Sequence, residues 1–267
     1  MPLLLLKLTL VPGLIVLITL AGRRWGAHIA GWLSAFPVVA GPILFFIAME
    51  KGVSFASMSA LGMFTAIAAN IFFGLCYAWL ATRFSWFFAW PCALLAYAMM
   101  VGLINNFSLV LWQAILLNLA TMLLVPYFYP QLDETSEADA NEAEPKHSPI
   151  ELPLRMLAGA VLVFAVTHFS DMLGSRLSGM MAMFPVMASV LAVFSHRNLG
   201  KAFAIQLLRG ALLGWYAFSM FSFLMAVGLP VFGVAGAFAL ATVFALVVQT
   251  ISLSFVRKLQ DDLEFID

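Results

Sequence analysis

Two copies of one element, Gly-x4-Phe-Pro, hold most of the chemistry this sequence offers: Gly31 to Pro37 and Gly179 to Pro185. A proline inside an apolar helix removes a backbone donor and clashes with the carbonyl four residues earlier, so it breaks or kinks the helix. A glycine six positions before it lets a neighbouring helix approach closely. Gly31, Ser34, Phe36 and Pro37, with Gly179, Phe184 and Pro185, are therefore candidates for substrate binding or gating. Two broken helices facing each other would release carbonyls and amides to line a site. The same pair serves equally well as a packing kink between two units. Pro42 adds a second interruption in the first copy only.

Ionisable groups within apolar segments are expensive and default to functional hypotheses. Arg209 lies about ten residues into such a segment, with Gln206 one helical turn before it. The two can present a cation to an anionic ligand, or Arg209 can snorkel toward headgroups beside Lys201. His168 and Asp171 stand three apart on one helical face, with Arg176 in the following turn. That spacing suits a proton-coupling pair, and it suits solvated residues at headgroup level equally. Asn70, Gln113, Asn118 and Gln249 are expected to bond between helices, at about 0.6 kcal/mol each.

Absent patterns narrow the classes. The sequence has no Walker A motif, no His/Cys metal cluster, no Gly-x-Ser-x-Gly and no convincing paired carboxylates. Neither an enzyme nor a cofactor is expected, and ATP-driven pumping by this chain alone is not. Cys76 and Cys92 sit in apolar runs without metal-ligand spacing and read as two buried thiols.

The elements that must position these residues follow from composition. Hydrophobic residues make up 64% of the chain and charged residues 10%, where a soluble domain carries about 25% charge. Spans of roughly 20 apolar residues match a bilayer core of about 30 Å, and runs such as Ile43 to Met49 lack the alternation of a barrel strand. The fold class is all-α and polytopic. Turn residues and charges cut the chain into about nine transmembrane segments, near 3–21, 28–49, 54–81, 85–104, 108–129, 153–170, 177–195, 199–228 and 231–255. The first is read as a spanning helix rather than a cleaved signal, since it passes into Gly22-Arg23-Arg24. The run Phe84 to Trp90 fits an interfacial aromatic belt. Asp133 to Pro149 is acidic, small and polar, with no apolar face, and reads as a solvated linker.

Basic residues fall unevenly between alternate loops. Arg23, Arg24, Arg83, Lys146, Arg155, Arg197, Lys201, Arg257 and Lys258 share one set; Lys7, Lys51 and Arg176 make up the other. The richer set is assigned to the cytoplasm. That gives an outside N-terminus, and a linker and C-terminus in the cytoplasm. Net charge is zero, and nothing points to nucleic acid as a partner.

The sequence also aligns with itself without a gap at a shift of 148 residues. Gly26 falls on Gly174, Gly31 on Gly179, Phe36-Pro37-Val38 on Phe184-Pro185-Val186, Gly52 on Gly200 and Gly62 on Gly210. Arg209 falls on Leu61 and so breaks the match. Four segments recur and the fifth has no counterpart, so the second unit must enter from the opposite side. The expected organisation is a first four-helix repeat over 1–104, a connecting helix over 105–129 and an acidic linker over 130–150. An inverted repeat over 151–256 and a polar tail over 257–267 complete it. Inverted repeats are a common plan for secondary transporters, with the site at the repeat interface near mid-membrane.

Each half resembles the GlpM family of small four-helix bacterial inner-membrane proteins. The resemblance rests on Ile29-Ala30-Gly31, Phe36-Pro37 and Glu50-Lys51-Gly52. The second half keeps Ser178-Gly179, Phe184-Pro185 and Gly200, but has Asn198-Leu199 in place of the acidic-basic pair. The resemblance implies the inner membrane, an origin as a fused pair and a setting in envelope or alginate production; it supplies no catalytic residues. The reading that unites these features is a transporter or permease-like translocator of a small or lipid-linked solute, with membrane lipids around it. A non-transporting accessory subunit, working with envelope-assembly partners, is the second reading and a channel the third.

Overall fold

A chain this apolar has to satisfy its main-chain groups within each segment, and helices do so. The computed structural model describes residues 37, 39–132 and 150–264, together with 13 and 16; side chains are described through 252, apart from 151 and 155. The described residues form helices α1 (Ala40–Lys51), α2 (Val53–Arg83), α3 (Trp86–Phe107) and α4 (Leu111–Leu124), the last running into a 3-10 turn at Val125–Phe128. After the linker come α5 (Glu151–His168), α6 (Ser170–Ala182), α7 (Val186–Leu199) and α8 (Lys201–Glu264). No strand occurs among the described residues.

Five stretches are long and apolar enough to cross a membrane: Val53–Arg83, Trp86–Phe107, Leu111–Phe128, Ser170–Leu199 and Lys201–Ser252. At 1.5 Å per residue the last would extend roughly 80 Å, far more than one bilayer. It does not run straight, because Gly233 interrupts α8 at φ 66° and ψ −175°. The sequence places this cut at residues 229–230, beside Pro230, whereas the structure places it three residues later. Pro230 would leave the carbonyl of Ala226 without its helical donor. The Ser57 hydroxyl supplies a replacement across 2.7 Å, and the helix continues past the proline.

Glycine marks three further breaks, one of them at Gly174 (φ 73°, ψ 167°) inside α6. Gly52 (φ 85°, ψ 171°) separates α1 from α2, and Gly200 (φ 92°, ψ 173°) separates α7 from α8. The two positions are repeat partners at the 148-residue shift, and both adopt a backbone that disfavours any side chain. Other boundaries move slightly from expectation: α3 runs past 104 to Phe107, and α8 extends beyond 256 to Glu264.

The hub is α2. Of its apolar window 83% is buried, against 28% for α3 and for α4, which form an outer wall. The first arm of α8 lies antiparallel along it. Ser57 bonds Ala226 near one end, and the Lys201 ammonium donates to the Thr82 carbonyl (3.3 Å) near the other. One index rises by 25 while the other falls by 25, so the register has no slip. At its middle this register sets Ile67 and Ala68 opposite Trp215 and Tyr216, the residues 148 positions later in the sequence.

Along another face of α2 runs α6. The Ser59 hydroxyl donates to the Ser175 carbonyl (2.7 Å). A Cβ on Gly62 would collide with the carbonyl of Arg176, and one on Gly179 with the carbonyl of Ser59. Backbone meets backbone here, and only glycine permits it.

These contacts sort the helix ends into two groups. At one end Lys51 pairs with Asp171 (2.5 Å) and the Arg176 guanidinium donates to the Leu109 carbonyl (2.9 Å). At the other, Lys201 reaches Thr82, and the Trp79 indole donates to the Phe128 carbonyl (2.7 Å). The exposed rings of Phe84, Phe87 and Phe88 lie at this second end, as an interfacial belt requires.

Candidate functional site

The interruption at Pro185 is built from its own sequence. Proline has no N–H, and the Val186 amide turns back to the Phe184 carbonyl across 2.7 Å. Pro185, at φ −75° and ψ 55°, is therefore the centre of an inverse γ-turn. The consequence falls on Ala182. The amide of residue 186 would normally bond its carbonyl, and that amide is committed elsewhere.

Side chains from the first half hold the ends of this break. The Asn70 amide of α2 donates to the Met183 carbonyl across 2.9 Å, and the Tyr97 hydroxyl of α3 donates to the Met180 carbonyl across 2.8 Å. Tyr97 also meets the ring of Phe184 edge-on, at 5.8 Å between centroids. Asn70 and Tyr97 are both buried. The Met180 and Met183 carbonyls at this break are thus satisfied from the first half.

Beside it lies a cavity of about 60 Å³, room for about two waters. Phe184 and Pro185 line it from the second Phe-Pro element, and Val39 and Ala40 line it from the residues just beyond Pro37. Three pairs of residues that stand 148 apart in the sequence face the same space: Val39 with Met187, Ala40 with Ala188, and Asn70 with Phe218. Trp215, at the middle of the α2–α8 register, completes that wall.

From this cavity α1 and α7 run in opposite directions. The last turn of α1 carries Lys51, at the end where Asp171 sits. In α7, His196 lies 3.3 Å from the Tyr77 hydroxyl, near the opposite end. Both helices therefore turn their N-termini toward one space. The Gly41 amide is taken by the Pro37 carbonyl, Pro42 has no N–H and the Val186 amide is committed, so it is chiefly the two helix dipoles that add there to a positive field, tempered by the carbonyl of Ala182. Such a field accommodates an anionic or acceptor group more readily than a cation.

No family model matches the chain, and no curated protein or solved structure matches it either. The geometry alone carries the functional reading.

Of the residues singled out from the sequence, Gly31, Ser34 and Phe36 lie outside the described residues, while Pro37 is buried. Gly179 is at the α2–α6 crossing, and Phe184 and Pro185 line the cavity. Arg209 and Gln206 do not line it. The Arg209 guanidinium donates to the Pro130 carbonyl (2.5 Å), beyond the end of α4, and Gln206 is buried in α8. The structure also draws His168 and Asp171 into different contacts. His168 stacks on Phe164 at 5.4 Å, and Asp171 pairs with Lys51 from 120 residues away.

Among the polar residues expected to bond between helices, Asn70 does so, and the Asn118 amide donates to the Phe64 carbonyl (2.8 Å). Gln113 instead accepts the Val110 amide (3.0 Å) at the start of its own helix. Cys76 and Cys92 are free thiols. Among the described residues no group of His, Cys, Asp and Glu is placed to hold a metal ion. Sequence reasoning missed Tyr97, since a lone tyrosine in an apolar run gives no sign that it meets a break 83 residues away.

Proposed function

We propose that the chain is a bacterial inner-membrane transporter built from two inverted, GlpM-like repeats, moving a small or lipid-linked solute through their interface. One observation carries this: residues following both Phe-Pro elements line the same cavity, and repeat-related residues face each other across it. The antiparallel course of α2 and the first arm of α8, repeat counterparts in sequence, supports the inversion. The matching breaks at Gly52 and Gly200 support the shared fold of the two units. The break at Gly233 supports counting α8 as two of the nine spans proposed here.

In this reading the cavity of about 60 Å³ is the closed form. The Phe-Pro breaks are the points about which one half rocks against the other, opening the cavity first to one side and then to the other. Positive-inside bias puts Arg83, Arg197 and Lys201 in the cytoplasm. The small volume of this cavity favours one competing reading, an accessory subunit of envelope assembly that moves nothing.

Cysteine access separates the two without knowledge of the solute. Ala188→Cys is introduced after replacing Cys76 and Cys92, and a membrane-impermeant maleimide is applied from each side of oriented vesicles. Transport requires labelling from both sides at measurable rates. Labelling from neither side, in a folded protein, would leave the accessory reading.

A further inference from the structure

Away from the repeat interface, a groove of about 850 Å³ lies between the outer face of α2, α4 and the turn that follows it. We infer that this groove is a binding site for one anionic phospholipid, its acyl chain along α2 and its headgroup at Arg83. The assignment is independent of the transport reading.

The order of residue types along α2 is the first support. Phe72, Leu75 and Trp79 line the groove and recur at helical spacing on one face. Arg83 is the next residue on that stripe, about three turns beyond Phe72. It is exposed, and it is the last residue of the helix. Hydrocarbon surface, then an interfacial indole, then a cation is the sequence of environments a phospholipid presents from tail to headgroup. Lys201, whose ammonium reaches the carbonyl of Thr82, places a second cation beside Arg83.

The opposite wall is fixed in place. The turn at Val125–Phe128 and the residues after it are tied down by Trp79 to the Phe128 carbonyl (2.7 Å) and by Arg209 to the Pro130 carbonyl (2.5 Å). Tyr129 is buried behind them. Trp79, Tyr127 and Phe128 leave large apolar faces exposed at the groove. Its volume lies in the range that holds a sizeable apolar ligand.

The test is native mass spectrometry of the full chain released from nanodiscs of equimolar dioleoyl phosphatidylglycerol and dioleoyl phosphatidylcholine. Wild type should retain one phosphatidylglycerol in preference to phosphatidylcholine. Arg83→Gln should weaken that preference about fivefold, the effect of one surface cation on an anionic lipid, without disturbing the fold. Ala120→Trp, which fills the groove from α4, should remove the retained lipid of either class. Equal retention of the two lipids by wild type would overturn the assignment, as would unchanged retention in Arg83→Gln. A dimer that Ala120→Trp dissociates would give the groove to a second copy of the chain, and would also overturn it.

Discussion

The side-chain amide of Asn70 donates to the main-chain oxygen of Met183 across 2.9 Å, so the interruption before Pro185 is held from the other half of the chain. The bond has a directional consequence. Asn70→Ala leaves a buried carbonyl without a donor, which costs about 1–3 kcal/mol in a protein interior. Interhelical bonds in membranes average nearer 0.6 kcal/mol. The expected loss is therefore about 1 kcal/mol, read from unfolding in mixed micelles. Asn70→Asp should lose more, because an ionised carboxylate turns a second acceptor toward the Met183 oxygen. Equal stability of wild type and both variants would mean that the break holds itself.

The α2–α6 crossing should tolerate no added carbon. Gly62→Ala aims a methyl group at the Arg176 carbonyl, and Gly179→Ala aims one at the Ser59 carbonyl. Backbone cannot step aside as a flexible side chain can, so each substitution should cost about 3 kcal/mol or more. Gly102→Ala is the control, since nothing lies within 4 Å of the position its Cβ would take. Folded yield by size exclusion should fall for the first two variants and hold for the third. A normal yield of Gly179→Ala would show that the helices can separate at no cost.

Much of this arrangement was legible in the residues themselves. Helices follow from unbroken apolar runs, and the breaks at Gly52 and Pro185 fall at residue types that end helices readily, whereas Gly200 falls inside a segment that the sequence begins at 199. The second Phe-Pro element, singled out by its repetition, lines a cavity in the structure. What could not be read was partnership across distance. His168 and Asp171 look like a pair because they are three apart, but Asp171 is taken by Lys51, 120 residues earlier. Arg209 looks like a ligand cation because it stands in an apolar segment, but its guanidinium meets a carbonyl beyond α4. Pro230 looks like a helix end, but Ser57 repairs the carbonyl it orphans. In each case a tertiary contact, invisible to local spacing, decides the outcome.

The Lys51–Asp171 pair bridges the two halves at one end of the bundle. As an exposed ion pair it adds little stability, about 0–1 kcal/mol, so its value lies in where it sits. Asp171→Lys sets two cations against each other and should loosen this end. If the halves rock, maleimide labelling of Ala188→Cys from the Lys51 side should speed up about fivefold, the equivalent of about 1 kcal/mol, and the swap of Lys51→Asp with Asp171→Lys should restore it. Labelling that ignores both variants would rule out opening at this end.

Arg209 should act on the segment after α4 rather than on the cavity. A hydrogen bond from a charged group is worth about 1.5–3 kcal/mol, so Arg209→Ala should loosen residues 129–131 markedly. Limited chymotrypsin digestion is the measurement, since Tyr127, Phe128 and Tyr129 stand at that segment; cleavage there should accelerate about tenfold. Arg209→Lys should fall between, because an ammonium retains the charge but not the planar fork. Labelling of Ala188→Cys should stay within about twofold of the parent in both variants, since Arg209 does not line the cavity. The reverse pattern, steady proteolysis with altered labelling, would return Arg209 to the solute path and make its bond to Pro130 incidental.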